Sequence, residues 1–117
     1  MSAVNGIGWF EIGTSEPEVA QRFYGEVFGW TFADDGGYRI VSTPDEGGLN
    51  GGIFNTEGNV PNYAIFTVLV DDTAEACRRI EAAGGKVLVP PQGDPEGLSY
   101  AHVLDPSGNH FGVFTQG

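Results

Sequence analysis

Hydrophobic and polar positions follow the same order twice along this chain of 117 residues. In each half, a stretch with the two-residue alternation of a strand precedes an amphipathic helical stretch, and further strand-like stretches follow it. The segment from Phe10 to Phe32 matches the segment from Phe66 to Leu88 at a constant offset, with identical residues at several positions. Because repeated halves usually pack about a pseudo-twofold axis, we expect their equivalent positions to converge on one site.

The first half begins with a strand predicted at residues 7–13. Alternation along this strand places Phe10 and Ile12 on one face of the sheet, and Trp9 and Glu11 on the other. Three further strands are predicted in this half, at residues 30–32, 37–42 and 51–55. Residues 56–62 are predicted to form a linker.

The first helix is predicted to begin near Glu16 and to stop at Gly29. Ser15 and Glu18 have the spacing of a capping box, in which two side chains bond reciprocally to the first backbone amides of the helix. We expect the helix to bury one apolar stripe, consisting of Val19, Ala20, Phe23 and Val27.

The second half repeats this plan. Asp72 is a suitable N-cap for a helix predicted at residues 73–83, and Glu75 follows at the capping-box position. Its strands are predicted at residues 63–70, 86–89, 99–104 and 110–115. The whole pattern predicts a single α+β domain over residues 1–117, built from two βαβββ modules at about residues 1–58 and 59–117.

Composition excludes several classes of partner. The formal net charge of -11 argues against binding to nucleic acid or to an anionic membrane, and is compatible with a cationic ligand. The sequence contains neither a membrane-length apolar run nor a basic signal-peptide start, so we expect a soluble cytoplasmic protein. Its one cysteine, Cys77, is expected to be a small buried hydrophobic residue rather than a reactive thiol.

Three motifs occur in order along the chain. They are Phe-Tyr-Gly-Glu-Val-Phe-Gly-Trp at positions 23–30, Val-Asp-Asp at 70–72 with Gly-Gly at 84–85, and Asp-Pro-Ser-Gly-Asn-His-Phe-Gly at 105–112. With these motifs the sequence resembles the vicinal oxygen chelate (VOC) superfamily, the glyoxalase, bleomycin resistance protein and extradiol dioxygenase group. The resemblance implies an open, barrel-like mixed sheet around a cavity, and a homodimer in which a pocket lies within one chain or across two.

The same resemblance implies a divalent metal held by histidine, glutamate or glutamine side chains, which acts as a Lewis acid. The positions that match the family's ligands are Trp9, Gly52, Ile65 and Gly112. None of these residues offers a usual ligand atom, so we expect no cofactor at this set. The alternative is a divalent metal bound through an unusual set, such as Glu11, His102 and His110.

Strand alternation selects the side chains expected to face the cavity. The candidate ligand-binding residues are Trp9, Glu11, Gly52, Phe54, Ile65, Thr67, His102, His110, Gly112 and Phe114. Trp9 is expected to form an aromatic wall, with open room beside the two glycines. Glu11 is the candidate catalytic residue, as an acid, a base or the partner of a cation, unless it is merely solvated or bonded to Arg39. The two histidines could bind a metal or transfer protons, or be ordinary polar residues.

These observations favour a protein of the glyoxalase and bleomycin resistance type that binds or sequesters an organic ligand, aromatic or cationic, without the usual metal. One alternative is an enzyme, either a lyase, isomerase or dioxygenase with a non-standard metal set, or a metal-free acid-base catalyst that uses Glu11. Another is an accessory or interaction module with a vestigial cavity. The sequence does not identify the ligand.

Overall fold

The structure is a computed structural model that describes residues 3–116. Within that range the chain forms eight strands and two helices, in the same βαβββ order in each half. The elements of the first half are β1 (Ile7–Thr14), α1 (Pro17–Phe28), β2 (Thr31–Asp35), β3 (Tyr38–Ser42) and β4 (Gly51–Asn55). Those of the second half are β5 (Tyr63–Leu69), α2 (Thr73–Ala82), β6 (Lys86–Gly93), β7 (Ser99–Leu104) and β8 (His110–Thr115). The predicted α+β class with two βαβββ modules is therefore confirmed.

The chain groups into two compact units. The first unit is Trp9–Ala64, and the second combines residues 3–8 with residues 65–116. The strand order is β2-β3-β4-β1 in the first half and β5-β8-β7-β6 in the second. Each of these sheets is mixed, because β1 is parallel to β4 and β5 is parallel to β8. Among the described residues, no helix has both the length and the apolar character needed to cross a bilayer.

The strand registers show how closely the two halves correspond. Glu11 of β1 lies opposite Gly52 of β4, and Thr67 of β5 lies opposite Gly112 of β8. Thr67 is the residue that the sequence repeat pairs with Glu11. The two glycines therefore occupy equivalent positions in the two halves.

Between α1 and the first sheet lies a core built from both. Ile12, Val41 and Ile53 are its buried centre, and side chains of α1 and β2 pack against it. Tyr24 stacks on Trp30, with ring centroids 4.9 Å apart and an interplanar angle of 9°. Burial of one large side chain of this kind contributes about 1.5–3 kcal/mol.

The predicted buried stripe of α1 is wrong for three of its four residues. Val19, Phe23 and Val27 are 55%, 53% and 55% exposed. Ala20 faces the core as predicted, and Tyr24 packs against the same core. The predicted stripe and the side that is buried in the structure both have helical spacing. Because α1 is apolar on these two adjacent sides, periodicity alone did not determine which side faces the core. The stacking partner Trp30, which lies beyond the helix, favours the side that carries Tyr24.

The predicted start of α1 is confirmed, but its capping box is not formed. Glu16 is the N-cap, it makes no side-chain cap hydrogen bond, and Pro17 occupies the first turn. The Oγ1 atom of Thr14 accepts a hydrogen bond of 3.0 Å from the Glu16 amide instead. Asp72 caps α2 as predicted, since its side chain accepts a hydrogen bond from the Glu75 amide.

The second core lies beneath α2. Its buried residues are Cys77, Ala101, Val103 and Val113. Burial raises the pKa of the Cys77 thiol, the negative charge of Glu81 raises it further, and Arg78 acts in the opposite direction. The expectation that Cys77 is a buried apolar residue is confirmed.

Strand β6 extends beyond its predicted end at residue 89. It continues through Pro90 and Pro91 to Gly93, with irregularities in its pairing to β7. Proline cannot donate to a ladder of backbone hydrogen bonds. It is tolerated here because β6 is an edge strand, paired only with β7 in its sheet.

Candidate functional site

In the first unit, the sheet has one face against α1 and one face away from it. Phe10 and Ile12 belong to the core beneath α1. Trp9 and Glu11 alternate with them along β1, so they lie on the opposite face, which we call the helix-free face of the first unit. This distribution is the one that the alternation predicted.

Four side chains on this helix-free face form a hydrogen-bonded network. The Tyr38 hydroxyl donates to Glu11 Oε1 over 3.1 Å, and the Tyr63 hydroxyl donates to Glu11 Oε2 over 2.6 Å. The Trp9 indole Nε1 donates to the oxygen of the Tyr38 hydroxyl over 3.1 Å. All four residues are partly buried. We call these residues the Glu11 network, and it fixes both the plane of the carboxyl group and the position of the indole.

Two glycines make room for the tyrosine rings of the Glu11 network. A Cβ atom on Gly52 would overlap the Tyr38 hydroxyl and ring, and a Cβ atom on Gly13 would overlap the Tyr63 ring. We expected open space beside Gly52, whereas Tyr38 occupies that space. The absence of a side chain at these two positions therefore allows the tyrosines to lie where they bond to Glu11.

The roles of Tyr38 and Tyr63 were not predicted from the sequence. Tyr38 starts β3 and pairs there with Asp35, and sequence periodicity does not say which residue of β1 it reaches. Arg39, which we considered as the bonding partner of Glu11, alternates with Tyr38 and lies on the α1 side of the sheet. It lines a groove of about 570 Å³ there, together with Trp30 and Phe32. This groove is on the face opposite the Glu11 network.

In the second unit, the two predicted histidines lie side by side. His102 Nδ1 and His110 Nε2 are 2.8 Å apart, and the ring centroids are 5.1 Å apart at an angle of 46°. One of these nitrogens is therefore the donor and the other the acceptor. Burial lowers the pKa of His110, and the neighbouring His102 lowers it further. Since Ala101 and Val103 point into the core under α2, His102 lies on the face away from that helix.

The other candidate residues differ in exposure. In the first unit, Phe54 is 45% exposed. In the second unit, Ile65, Thr67 and Phe114 are buried. A Cβ atom on Gly112 would lie 2.6 Å from Thr67 Cγ2, so the room expected there is also occupied. A ligand-binding role for these residues remains a prediction.

The four positions that match the family's metal ligands do not fit a divalent ion. In the first unit, the Trp9 nitrogen donates to Tyr38, and Gly52 has no side chain. In the second unit, Ile65 and Gly112 offer no donor atom. Divalent ions in proteins bind to nitrogen, oxygen or sulfur atoms. Within residues 3–116, no cluster of three or more histidine, cysteine, aspartate or glutamate side chains could hold a metal ion.

Two groups of curated proteins are similar to this chain in sequence. The anthracycline biosynthesis protein DnrV of Streptomyces peucetius is 29% identical over 93% of this chain and 46% of its own length. The putative glyoxylase CFP32 of Mycobacterium tuberculosis is 31% identical over 90% of this chain and 42% of its own length. The chain thus spans less than half the length of these relatives.

Solved structures share the fold. The methylmalonyl-CoA epimerase of Mycobacterium tuberculosis superposes with a TM-score of 0.64 at 16% identity, over 100% of this chain and 93% of the epimerase. The Mn(II)-bound glyoxalase of Novosphingobium aromaticivorans gives 0.62 at 22% identity, over 98% of this chain and 40% of that protein. The family-level sequence model matches residues 6–113, which run from the start of β1 into β8. Nearly the whole chain is covered by that match, and the protein belongs to the Glyoxalase/Bleomycin resistance protein/Dioxygenase superfamily.

Proposed function

We propose that this protein binds a planar organic cation on the helix-free face of the first unit, at Trp9 and Glu11. The observation that carries this proposal is the Glu11 network. Both oxygens of the Glu11 carboxyl group are held by tyrosine hydroxyls, and the Trp9 indole is hydrogen-bonded to one of those hydroxyls. An acidic group is thereby fixed among three aromatic rings.

This combination of groups suits a flat cation. Aromatic faces attract cations through their ring quadrupoles, with contributions of about 0.5–2 kcal/mol for each contact. They also provide a large apolar surface at little cost in conformational entropy. The net charge of -11 adds a favourable long-range field for a cationic ligand and an unfavourable one for an anion.

The names of the relatives are compatible with this ligand class. DnrV is named as an anthracycline biosynthesis protein, and an anthracycline contains a planar system of fused rings. For this chain we propose a ligand of the same chemical character, and we do not propose a particular molecule. We also propose that the protein is a homodimer and that it uses no divalent metal at Trp9, Gly52, Ile65 and Gly112, since these residues offer no ligand set.

Fluorescence from a single tryptophan tests the site directly. Trp9 and Trp30 are the two tryptophans of the chain, and Trp30 belongs to the core beneath α1. In a Trp30→Phe variant the signal comes from Trp9 alone, and in the matched Trp9→Phe variant it comes from Trp30 alone. We expect proflavine, a planar aromatic cation, to quench Trp30→Phe saturably and to quench Trp9→Phe only weakly.

The charge preference requires a second pair of measurements. Anthraquinone-2-sulfonate is planar and aromatic but anionic, so we expect it to bind at least about tenfold more weakly than proflavine. Glu11→Gln, which keeps the size of the side chain, should remove most of that difference. Equal binding of the two probes would exclude a cation site. Absence of saturable quenching by either probe would overturn the proposed function.

Acid-base catalysis by Glu11 is a second candidate, favoured by the same hydrogen bonds. A group that transfers protons must be held in one orientation within reach of its substrate, and it contributes about 10²–10⁴-fold in rate. A base of this kind would exchange an acidic C–H of a ketone in D₂O. We would therefore measure deuterium uptake into dihydroxyacetone by NMR. Uptake accelerated by the wild type and lost in Glu11→Gln would support catalysis, and equal uptake with and without protein would remove this candidate.

A further inference from the structure

The chain contains two histidines, and they contact each other. His102 lies opposite Gly112 in the β7–β8 ladder, and His110 lies opposite Leu104. The two imidazoles therefore come from adjacent paired strands and point to the same face. Ala101, Val103 and Val113 on these strands are buried in the core, so the strand backbones that carry the histidines are firmly held.

The spacing of the facing nitrogens matches a particular metal geometry. His102 Nδ1 and His110 Nε2 are 2.8 Å apart. With metal–nitrogen distances of about 2.0–2.1 Å, two ligands at 90° are about 2.9 Å apart, whereas two tetrahedral ligands are about 3.4 Å apart. A square arrangement thus keeps the two nitrogens at nearly their present separation, and it requires both rings to turn until their lone pairs point to one metal. A tetrahedral arrangement requires the distance between the two nitrogens to increase by about 0.6 Å.

A histidine must be neutral to act as a ligand. In the hydrogen-bonded pair, one of the two facing nitrogens carries a proton. Metal binding would move this proton to the far nitrogen of its own ring, so that both facing nitrogens present a lone pair.

We propose that His102 Nδ1 and His110 Nε2 form a two-nitrogen binding site for Cu²⁺ or Ni²⁺. Nitrogen and oxygen ligands in a tetragonal arrangement are typical of these two ions, and Cu²⁺ has the highest affinity among the divalent first-row metals. With two protein ligands, the other coordination positions fall to water or to a small bound molecule. The residues of this site are different from those at the four family positions, and it does not depend on the ligand proposed for the Glu11 network.

Cu²⁺ titration of protein without a histidine tag tests the site. We expect one Cu²⁺ per chain, with an electron paramagnetic resonance spectrum that shows coupling to two imidazole nitrogens. His102→Gln and His110→Gln should each weaken binding at least about tenfold, since each removes one of two ligands. Glu81→Gln, which removes an exposed carboxylate of α2, is the matched control and should bind as the wild type does.

A second measurement needs no variant and covers the case in which a histidine variant fails to fold. Bound Cu²⁺ broadens the NMR signals of nearby amides, so substoichiometric Cu²⁺ should first broaden the amides of residues 101–103 and 109–111 in the wild type. First broadening among the acidic loops, at residues 34–36 or 94–96, would overturn the proposal. Equal Cu²⁺ affinity of the wild type and a folded His102→Gln/His110→Gln variant would overturn it as well, as would a spectrum without nitrogen coupling.

Discussion

The Tyr63 hydroxyl donates a hydrogen bond of 2.6 Å to Glu11 Oε2 across 52 positions of the sequence. Tyr63 is the first residue of β5, directly after the linker predicted at residues 56–62. The bond therefore connects the beginning and the end of the first unit, and it fixes the carboxyl group on which the proposed binding site depends.

Removal of this hydroxyl should lower stability measurably. Tyr63→Phe keeps the ring that packs over Gly13 and leaves Glu11 Oε2 without that donor. A hydrogen bond of this kind contributes about 0.5–1.5 kcal/mol, so we expect the free energy of unfolding to fall by about 1 kcal/mol. Urea denaturation followed by circular dichroism measures the change.

Tyr100→Phe is the matched control for Tyr63→Phe. Tyr100 is 44% exposed, and its ring is nearly perpendicular to that of His102, with centroids 6.4 Å apart. We expect this control to change the free energy of unfolding by less than about 0.5 kcal/mol. If the free energy of unfolding fell by the same amount in the two variants, the hydrogen bond to Glu11 would make no specific contribution to the stability of the first unit.

A methyl group at Gly52 should disturb the Glu11 network. Gly52→Ala places a Cβ atom where the Tyr38 hydroxyl and ring lie, and overpacking of this type costs about 1–3 kcal/mol. If the clash is with Tyr38, adding Tyr38→Ala should remove most of the extra cost. Chemical denaturation of the two single variants and the double variant gives the coupling free energy.

The comparison for Gly52→Ala is Gly25→Ala on α1. A Cβ atom on Gly25 would meet Phe32 at an ordinary contact distance of 3.5 Å, and alanine favours a helix more than glycine does by about 0.8–1 kcal/mol. Gly25→Ala should therefore stabilise the protein while Gly52→Ala destabilises it. Stabilisation by both substitutions would show that the Tyr38 ring moves aside at little cost.

The sequence predicted the architecture well because the repeat and the strand alternation are local patterns. Trp9 and Glu11 share a face, as alternation requires, and each half has the predicted βαβββ order. Both results follow from the periods of strands and helices, which a sequence displays directly.

The Glu11 network could not be predicted in the same way. Tyr38 and Tyr63 reach Glu11 through strand neighbours and loop lengths that are distant in sequence. The position of the buried side of α1 was missed for a related reason, since the contact between Tyr24 and Trp30 is tertiary. Local patterns thus identify faces, while the partners on a face depend on how the elements come together.

The buried thiol of Cys77 should be protected from reagents. Burial raises its pKa, and the charge of Glu81 acts in the same direction, so little thiolate forms near neutral pH. We expect Cys77 to react with Ellman's reagent at pH 8 at least about tenfold more slowly in the native protein than in urea. The absorbance of the released thiolate follows the reaction, and equal rates in the two conditions would contradict a packed core beneath α2.

Asp105 should make stability depend on pH in the acidic range. The Asn109 side chain donates to its carboxylate, and the amides of Asn109 and Ser107 add to this, so the pKa of Asp105 lies below its ordinary value. The folded state therefore holds the ionised form more strongly than the unfolded state does. This stabilisation is present above about pH 4, the ordinary aspartate pKa, and is lost as the pH falls through the lowered value.

Asp105→Asn isolates this effect in the β7–β8 turn, because asparagine keeps the shape of the side chain without its titration. We expect the variant to be less stable than the wild type at pH 7, and the difference between them to shrink as the pH falls below about 4. Asp71→Asn, at an exposed aspartate that precedes α2, is the control for the loss of one surface carboxylate. Thermal unfolding, followed at intervals of about 1 pH unit between about pH 2.5 and pH 7, measures how far each variant differs from the wild type in stability. A constant difference between Asp105→Asn and the wild type over that range would mean that the turn is stabilised by its shape and not by the charge of Asp105.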